Sequence, residues 1–212
     1  MKCVIVAGGE KPQGNSLASL EQADLLICAD SGANHVYELG YVPDLIIGDF
    51  DSIKPEILQA YCAKGCAIKT YPSEKDYTDT ELAIQLALQE GVTQIDLLGA
   101  IGNRLDHSLA NIFLLVTYQS ENCQIRIVGS DCIAWVTKDK AVVLGDPGDF
   151  VSIISLTRVS QGVGLEGFKY PLCNASIFMG STLGISNELL STKGIISVNS
   201  GLLLIIHTKN SV

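Results

Sequence analysis

From residue 2 to about residue 128, short Val/Ile/Leu runs alternate with segments of helical period, and after about residue 130 the helical period stops. Few architectures accept such a chain. Short apolar runs joined by helices bury both of their faces when they form a parallel sheet covered by helices. The spacing predicts strands at 2–7, 25–29, 44–47, 66–70, 94–98 and 124–128. Helices fill the gaps. The segment 54–64 carries Pro55 in its first turn and stops at Gly65, and 78–90 opens with the box Thr78-x-x-Glu81 and stops at Gly91. A third helix, 105–118, places Leu105, Leu109, Ile112, Phe113 and Val116 on one face. Beyond it, β-rich runs such as CIAWVTK, FVSIISL and GLLLIIH are separated by Gly, Pro, Asp and Asn turns, which reads as an antiparallel sandwich or barrel. The expected fold class is an α/β domain over 1–128 followed by an all-β sandwich over 129–212.

Composition narrows the class of partner. With 212 residues, 47% of them hydrophobic, the chain can bury a sizeable core. Its longest apolar stretches are too short to span a bilayer, and MKCVIVAGGE runs straight into a strand-like segment rather than a signal sequence, so a cytoplasmic location is expected. Seven cysteines, mostly within or beside apolar runs, fit a reducing compartment. Cys62 and Cys66 lack the further ligands of a zinc site. A net charge of -9 argues against a nucleic-acid partner. It also means that an anionic substrate must be neutralised locally by a cation and a few placed basic side chains.

Ligands of an open parallel sheet bind at the carboxyl ends of its strands. There the sequence clusters its polar residues: ADSGAN at 29–34 after the second strand, GDFDS at 48–52 after the third, YPSEKDYTDTE at 71–81 after the fourth, and GAIGNRLDH at 99–107 after the fifth. Each cluster has a plain structural explanation, since Asp30 and Ser31 can cap a helix, Asp76 and Asp79 flank a helix start, and Arg104 with Asp106 can be a surface ion pair. Their convergence is harder to explain that way. Asp30, Asp49, Asp51, Asp76 and Asp79 would face one crevice and repel one another unless a cation resided there. Hard oxygen ligands favour Mg²⁺, which is held by carboxylates together with substrate phosphates. Lys75, Arg104 and Lys11 are candidates for the remaining positive charge. No G-x-x-x-x-G-K-[ST] occurs, the AGGEKPQG loop after the first strand lacks G-x-G-x-x-G spacing, and the D-x-D pair follows the third strand rather than the first, unlike an aspartyl-phosphate phosphatase.

The ordered set ADSGAN, PDLIIGDFDS, KDYTDTE, GAIGNRLDH, GFKYPL and GISNE resembles the bacterial type of thiamine pyrophosphokinase (thiamine diphosphokinase) across essentially the whole chain. The resemblance implies a kinase that transfers the diphosphoryl group of ATP to the hydroxyl of thiamine, giving thiamine diphosphate and AMP. It implies Mg²⁺, ATP as co-substrate, and a homodimer whose active sites are shared between chains. On this basis 1–128 would be the ATP- and Mg-binding catalytic domain and 129–212 the thiamine-binding and dimerisation domain. By resemblance, Asp49, Asp51, Asp76 and Asp79 hold the metal and, with Arg104, form the catalytic set. Asp30, Asn34, Ser52, Lys75, Thr78, Gly102, Asp106 and His107 fall on the nucleotide side, and Tyr170, Ser186 and Asn187 on the thiamine side. Two positions depart from the pattern: Ser31 stands where a glycine is common, and Tyr170 where an aromatic, often Trp, is found. Two rival readings remain at this point, a Mg²⁺-dependent nucleotide-sugar transferase and a non-catalytic thiamine- or nucleotide-binding protein.

Overall fold

The computed structural model describes residues 1–210; positions 211 and 212, the end of the expected second domain, lie outside the described residues. Two units emerge, Met1–Ser130 and a second beginning at Asp131.

In the first unit the apolar runs become strands β1 (Lys2–Val6), β2 (Leu25–Ala29), β3 (Leu45–Gly48), β4 (Ala67–Thr70), β5 (Gln94–Leu98) and β6 (Gln124–Val128). Between them lie α1 (Asn15–Glu21), α2 (Gly32–Glu38), α3 (Pro55–Ala63), α4 (Asp79–Gln89) and α5 (Leu105–Thr117). The strands pair in the order β6, β5, β1, β2, β3, β4, every pair parallel. Val4, Ile5, Ile46, Ile47, Ile95 and Leu97 have no exposed surface, which is the double-sided burial expected of a covered parallel sheet. Cys3, Cys28 and Cys123 are buried free thiols that serve as small hydrophobes. Among the described residues no helix is long and apolar enough to cross a membrane.

Two helix details depart from expectation. Thr78 caps α4 by accepting the Glu81 N–H at 3.2 Å, but the Glu81 carboxylate accepts from Tyr118 Oη at 2.8 Å. The expected box is therefore half made. On α5 the predicted apolar face points outward, with Leu105 71%, Leu109 47% and Phe113 56% exposed. Its buried side is Ser108, Asn111, Leu114 and Leu115. Periodicity defines a stripe, while the tertiary partners decide which stripe faces inward.

The second unit contains β7 (Cys132–Thr137), β8 (Lys140–Leu144), β9 (Phe150–Ser155), β10 (Val159–Glu166), β11 (Leu172–Phe178), β12 (Asn187–Glu188), β13 (Lys193–Ser197) and β14 (Leu203–Thr208). β12, β9, β14 and β7 pair in that order as one layer, and β11, β10, β13 and β8 as the other, all antiparallel. Alternate residues from both layers, among them Val143, Ile153, Val163, Leu165, Ile196 and Leu203, share one core. That is a β-sandwich.

Candidate active site

The first-unit sheet changes winding direction at β1. The chain lays down β1 to β4 on one side and then crosses to the other side of β1 for β5 and β6. Carboxyl ends at such a switch point leave a crevice. The loops after β1 and β5 meet at its floor, where the Gly9 N–H donates to the Gly99 carbonyl and the Glu10 N–H to the Ile101 carbonyl, both at 2.8 Å. A side chain on Gly9 would collide with those same carbonyl oxygens, and one on Gly102 would start 2.9 Å from Gly9 Cα. The floor is therefore bare backbone. His35 Nε2, 3.0 Å from the Gly9 carbonyl, braces it from α2.

Above this floor opens a cleft of about 670 Å³ walled by the loops after β1, β2, β3, β4 and β5. Asp30 enters at the end of β2 with a positive φ of 47°, opposite Gly48, where a Cβ would lie 3.2 Å from that of Asp30. Its Oδ2 accepts from the Ser52 hydroxyl, linking the second and third loops. Asn34 fixes the third loop as well, donating to the Ser52 carbonyl at 3.0 Å and accepting from the Lys54 N–H at 3.2 Å. One carboxylate oxygen from each of Asp30, Asp49 and Asp51 lies within 4.8 Å of the others.

The neighbours divide these carboxylates chemically. Hydrogen bonds from the Ser73 hydroxyl and the Asp51 N–H hold the Asp49 carboxyl below the ordinary carboxylate range. The charge of Asp49 pushes Asp51 above that range, reinforced by desolvation and by Asp30. Asp79, at the start of α4, is pushed up by burial although Lys75 opposes the shift. Lys75 Nζ pairs with Asp79 Oδ1 at 3.0 Å. Asp79 Oδ1 thus lies against a cation, whereas Asp30 Oδ1 is a buried oxygen with no donor. Such oxygens are costly unless positive charge meets them.

Of the other predicted residues, Ser52, Thr78, Gly102, Arg104 and His107 line the cleft, whereas Asp76, Asn34 and Asp106 are not among its walls. Asp76 is exposed. Asp106 takes the Arg104 guanidinium side-on, at 3.0 Å to Nε and 2.7 Å to Nη2, and Arg104 draws its carboxyl well below the usual range. Lys11 is engaged elsewhere, 2.9 Å from Glu38. In the second unit, Tyr170 is 60% exposed and Asn187 3%. Asn187 accepts the Tyr170 N–H at 2.9 Å and donates to the Tyr170 carbonyl at 2.8 Å. Ser186 adopts φ 54° and donates its N–H to Ser152 Oγ at 3.0 Å.

Sequence reasoning missed Ser73, Ser108 and Asn111. Ser108 Oγ receives the Gly102 N–H at 3.1 Å, and Asn111 Nδ2 donates to the Ala100 carbonyl at 2.7 Å, so α5 holds the loop that carries Arg104. Nothing in the sequence marks these two polar residues as the inward ones, since the stronger apolar stripe of α5 lies elsewhere.

An acidic cleft at the switch point of a parallel sheet, followed by a β-sandwich, defines a two-part protein of the class that carries its ligand cleft on an α/β unit. Comparison with known proteins narrows this. Residues 17–127 match the model of the thiamin pyrophosphokinase catalytic domain, and residues 138–203 that of the thiamin pyrophosphokinase vitamin B1 binding domain. Thiamine pyrophosphokinase of Bacillus subtilis is 34% identical over 96% of this chain and 97% of its own length. A crystal structure of the Bacillus subtilis enzyme superposes with a TM-score of 0.89 at 32% identity, covering 99% of this chain and 100% of that one. One from Geobacillus thermodenitrificans gives 0.87 at 34% identity, covering 100% and 99%. The chain belongs to the thiamin pyrophosphokinase family.

Proposed function

We propose that the chain transfers the diphosphoryl group of ATP to the hydroxyl of thiamine, giving thiamine diphosphate and AMP. The observation that carries this reading is the convergence of loops from successive strands on one cleft that gathers the Asp30, Asp49 and Asp51 carboxylates, with the buried Asp30 Oδ1 lacking a donor. In the step itself the thiamine hydroxyl oxygen bonds to the β-phosphorus and gives up its proton to the medium, the bond from that phosphorus to the oxygen bridging it to the α-phosphate breaks, and AMP leaves with that oxygen and the bonding pair. Phosphoryl transfer of this kind depends mainly on positioning and charge neutralisation.

The donor set fits a hard divalent cation, being all oxygen with three carboxylates close together. In this reading Asp30, Asp49 and Asp51 hold Mg²⁺, with Asp79 on the neighbouring wall, and the bound ion supplies positive charge to the phosphate oxygens. Asp76, exposed and outside the walls, is not needed in this ligand set. Lys75 and Arg104 offer further positive charge, and the absence of side chains at Gly9 and Gly102 leaves room for phosphates to approach closely. Tyr170 presents an exposed ring for the aromatic rings of thiamine, steadied by Asn187, and Ser186 adjoins that pair in sequence. The domain division at 128, the homodimer and its shared sites belong to the same proposal. The test is incubation with ATP, Mg²⁺ and thiamine while AMP and thiamine diphosphate are measured. AMP rising only when thiamine is present supports the reading; binding of both compounds without turnover, or ADP as the product, overturns it.

A further inference from the structure

The second unit holds a buried titratable pair that the reaction above does not use. His207 on β14 is 8% exposed, and Asp149, in the turn before β9, is 4% exposed. His207 Nε2 lies 2.8 Å from Asp149 Oδ2. That same oxygen accepts the Asp146 N–H at 3.0 Å, and Oδ1 accepts the Asn210 N–H at 3.0 Å. Burial by itself would push the Asp149 carboxyl up, but these N–H groups and the His207 ring outweigh it and hold the group below its ordinary range. Gly145 leaves room for the arrangement, since a Cβ there would stand 2.6 Å from Asp149 Oδ2 and 2.7 Å from His207 Nε2.

What this clasp secures is β12. The Leu189 N–H donates to the Asp149 carbonyl at 2.9 Å, and the Gly148 N–H returns to the Leu189 carbonyl at 2.8 Å. Immediately before Leu189, Asn187 and Glu188 pair with Val151 and Phe150. β12 is two residues long, so its own ladder contributes little; the Asp149 turn holds one side of it, and the Lys169 N–H on the Glu188 carbonyl at 2.9 Å, with Leu189 buried in the core, holds the other. On the other side, Asn187 closes a reciprocal pair of hydrogen bonds with the Tyr170 backbone. A path of hydrogen bonds and intervening main chain thus runs from His207 through Asp149, Leu189 and β12 to Tyr170.

We propose that His207 is a positioning residue for thiamine: by donating from Nε2 to Asp149 it fixes β12 and, through Asn187, the setting of the Tyr170 ring. The inference rests on the reading given above that Tyr170 and Asn187 contact the vitamin. It requires an N–H at the Nε2 position, so glutamine, whose amide nitrogen reaches the same place, replaces histidine and alanine does not.

The experiment measures kcat, the KM for thiamine, the KM for ATP and the melting temperature of the full chain carrying His207→Ala, His207→Gln or Tyr170→Ala. Losing a donor to a buried carboxylate should raise the thiamine KM of His207→Ala about tenfold, leave kcat and the ATP KM within about twofold, and be reversed in His207→Gln. If His207→Ala does not fold, Gly145→Ala carries the same expectation for thiamine KM, because its methyl forces the pair apart. An unchanged thiamine KM in the folded alanine variant, alongside a raised one in Tyr170→Ala, overturns the positioning role and leaves the thiamine site standing. Equal shifts in both KM values overturn it too, as the mark of a purely structural defect. Tyr170→Ala with unaltered thiamine KM removes the site reading and the positioning role together.

Discussion

Asp30 sits at φ 47° with one carboxylate oxygen bonded to Ser52 and the other without a donor, an expensive arrangement for a non-glycine residue in a folded chain. Strain of this kind persists where the surroundings enforce it, and here Gly48 yields the space. Asp49→Asn should lower turnover about a hundredfold with little change in secondary structure, read by AMP release and circular dichroism. Near wild-type turnover would remove Asp49 from the proposed ligand set. Asp51→Asn should melt higher than wild type in Mg²⁺-free buffer, because it relieves the repulsion from Asp49 that raises the Asp51 carboxyl. A lower melting temperature would mean that Asp51 is stabilised by neighbours rather than strained by them. Asp96 behaves in the opposite way. It is fully buried, yet Arg126 at 2.8 Å, Lys2 at 3.1 Å and Ser19 at 2.6 Å surround it. Asp96→Ala strands two cations and should cost about 3 kcal/mol in urea unfolding, with the ATP KM unchanged.

Helix α5 shows how an element can serve the site from behind. Its inward residues Ser108 and Asn111 hold the Gly102 and Ala100 backbone, so Asn111→Ala should lose about 1–2 kcal/mol and also raise the ATP KM, a coupling absent from Asp96→Ala. The strands of the first unit and the loops that follow them were legible because alternation and turn residues are local signals. The inward side of α5 was not legible, since Leu105, Leu109 and Phe113 make the stronger apolar stripe and only the neighbouring backbone reveals that Ser108 and Asn111 face inward. Nor could the sequence pair His207 with Asp149, which are brought together by sandwich topology across 58 positions. That clasp has an acid signature. Asp149 titrates below its unfolded value, so its stabilisation is complete above the ordinary carboxylate range and disappears as pH falls through the depressed folded value. The melting temperature of wild type should therefore decline more steeply than that of Asp149→Asn as pH is lowered below about 4. Parallel pH profiles for the two proteins would show that the clasp contributes nothing to acid stability.

The two units divide the proposed chemistry, phosphate handling in the first and the vitamin in the second, and the proposed homodimer would bring complementary parts of different chains together. Sedimentation at low protein concentration should give twice the chain mass, and a monomer with full turnover would overturn the shared-site arrangement. The motif order across the chain made the family readable from sequence, because those motifs occupy loops at strand ends where few residue types can serve. The switch point beside β1 was not readable, since strand order is a property of pairing and leaves no local trace. The interlocked glycines at that point bear on how such proteins diversify. The two loops meet there through main-chain hydrogen bonds and glycine contacts, so descendants can replace the aspartates and lysine on the rim while that meeting point keeps its shape. A lineage that abandoned phosphate chemistry would still carry that floor, and glycines at positions 9, 99 and 102 would outlast the carboxylates above them.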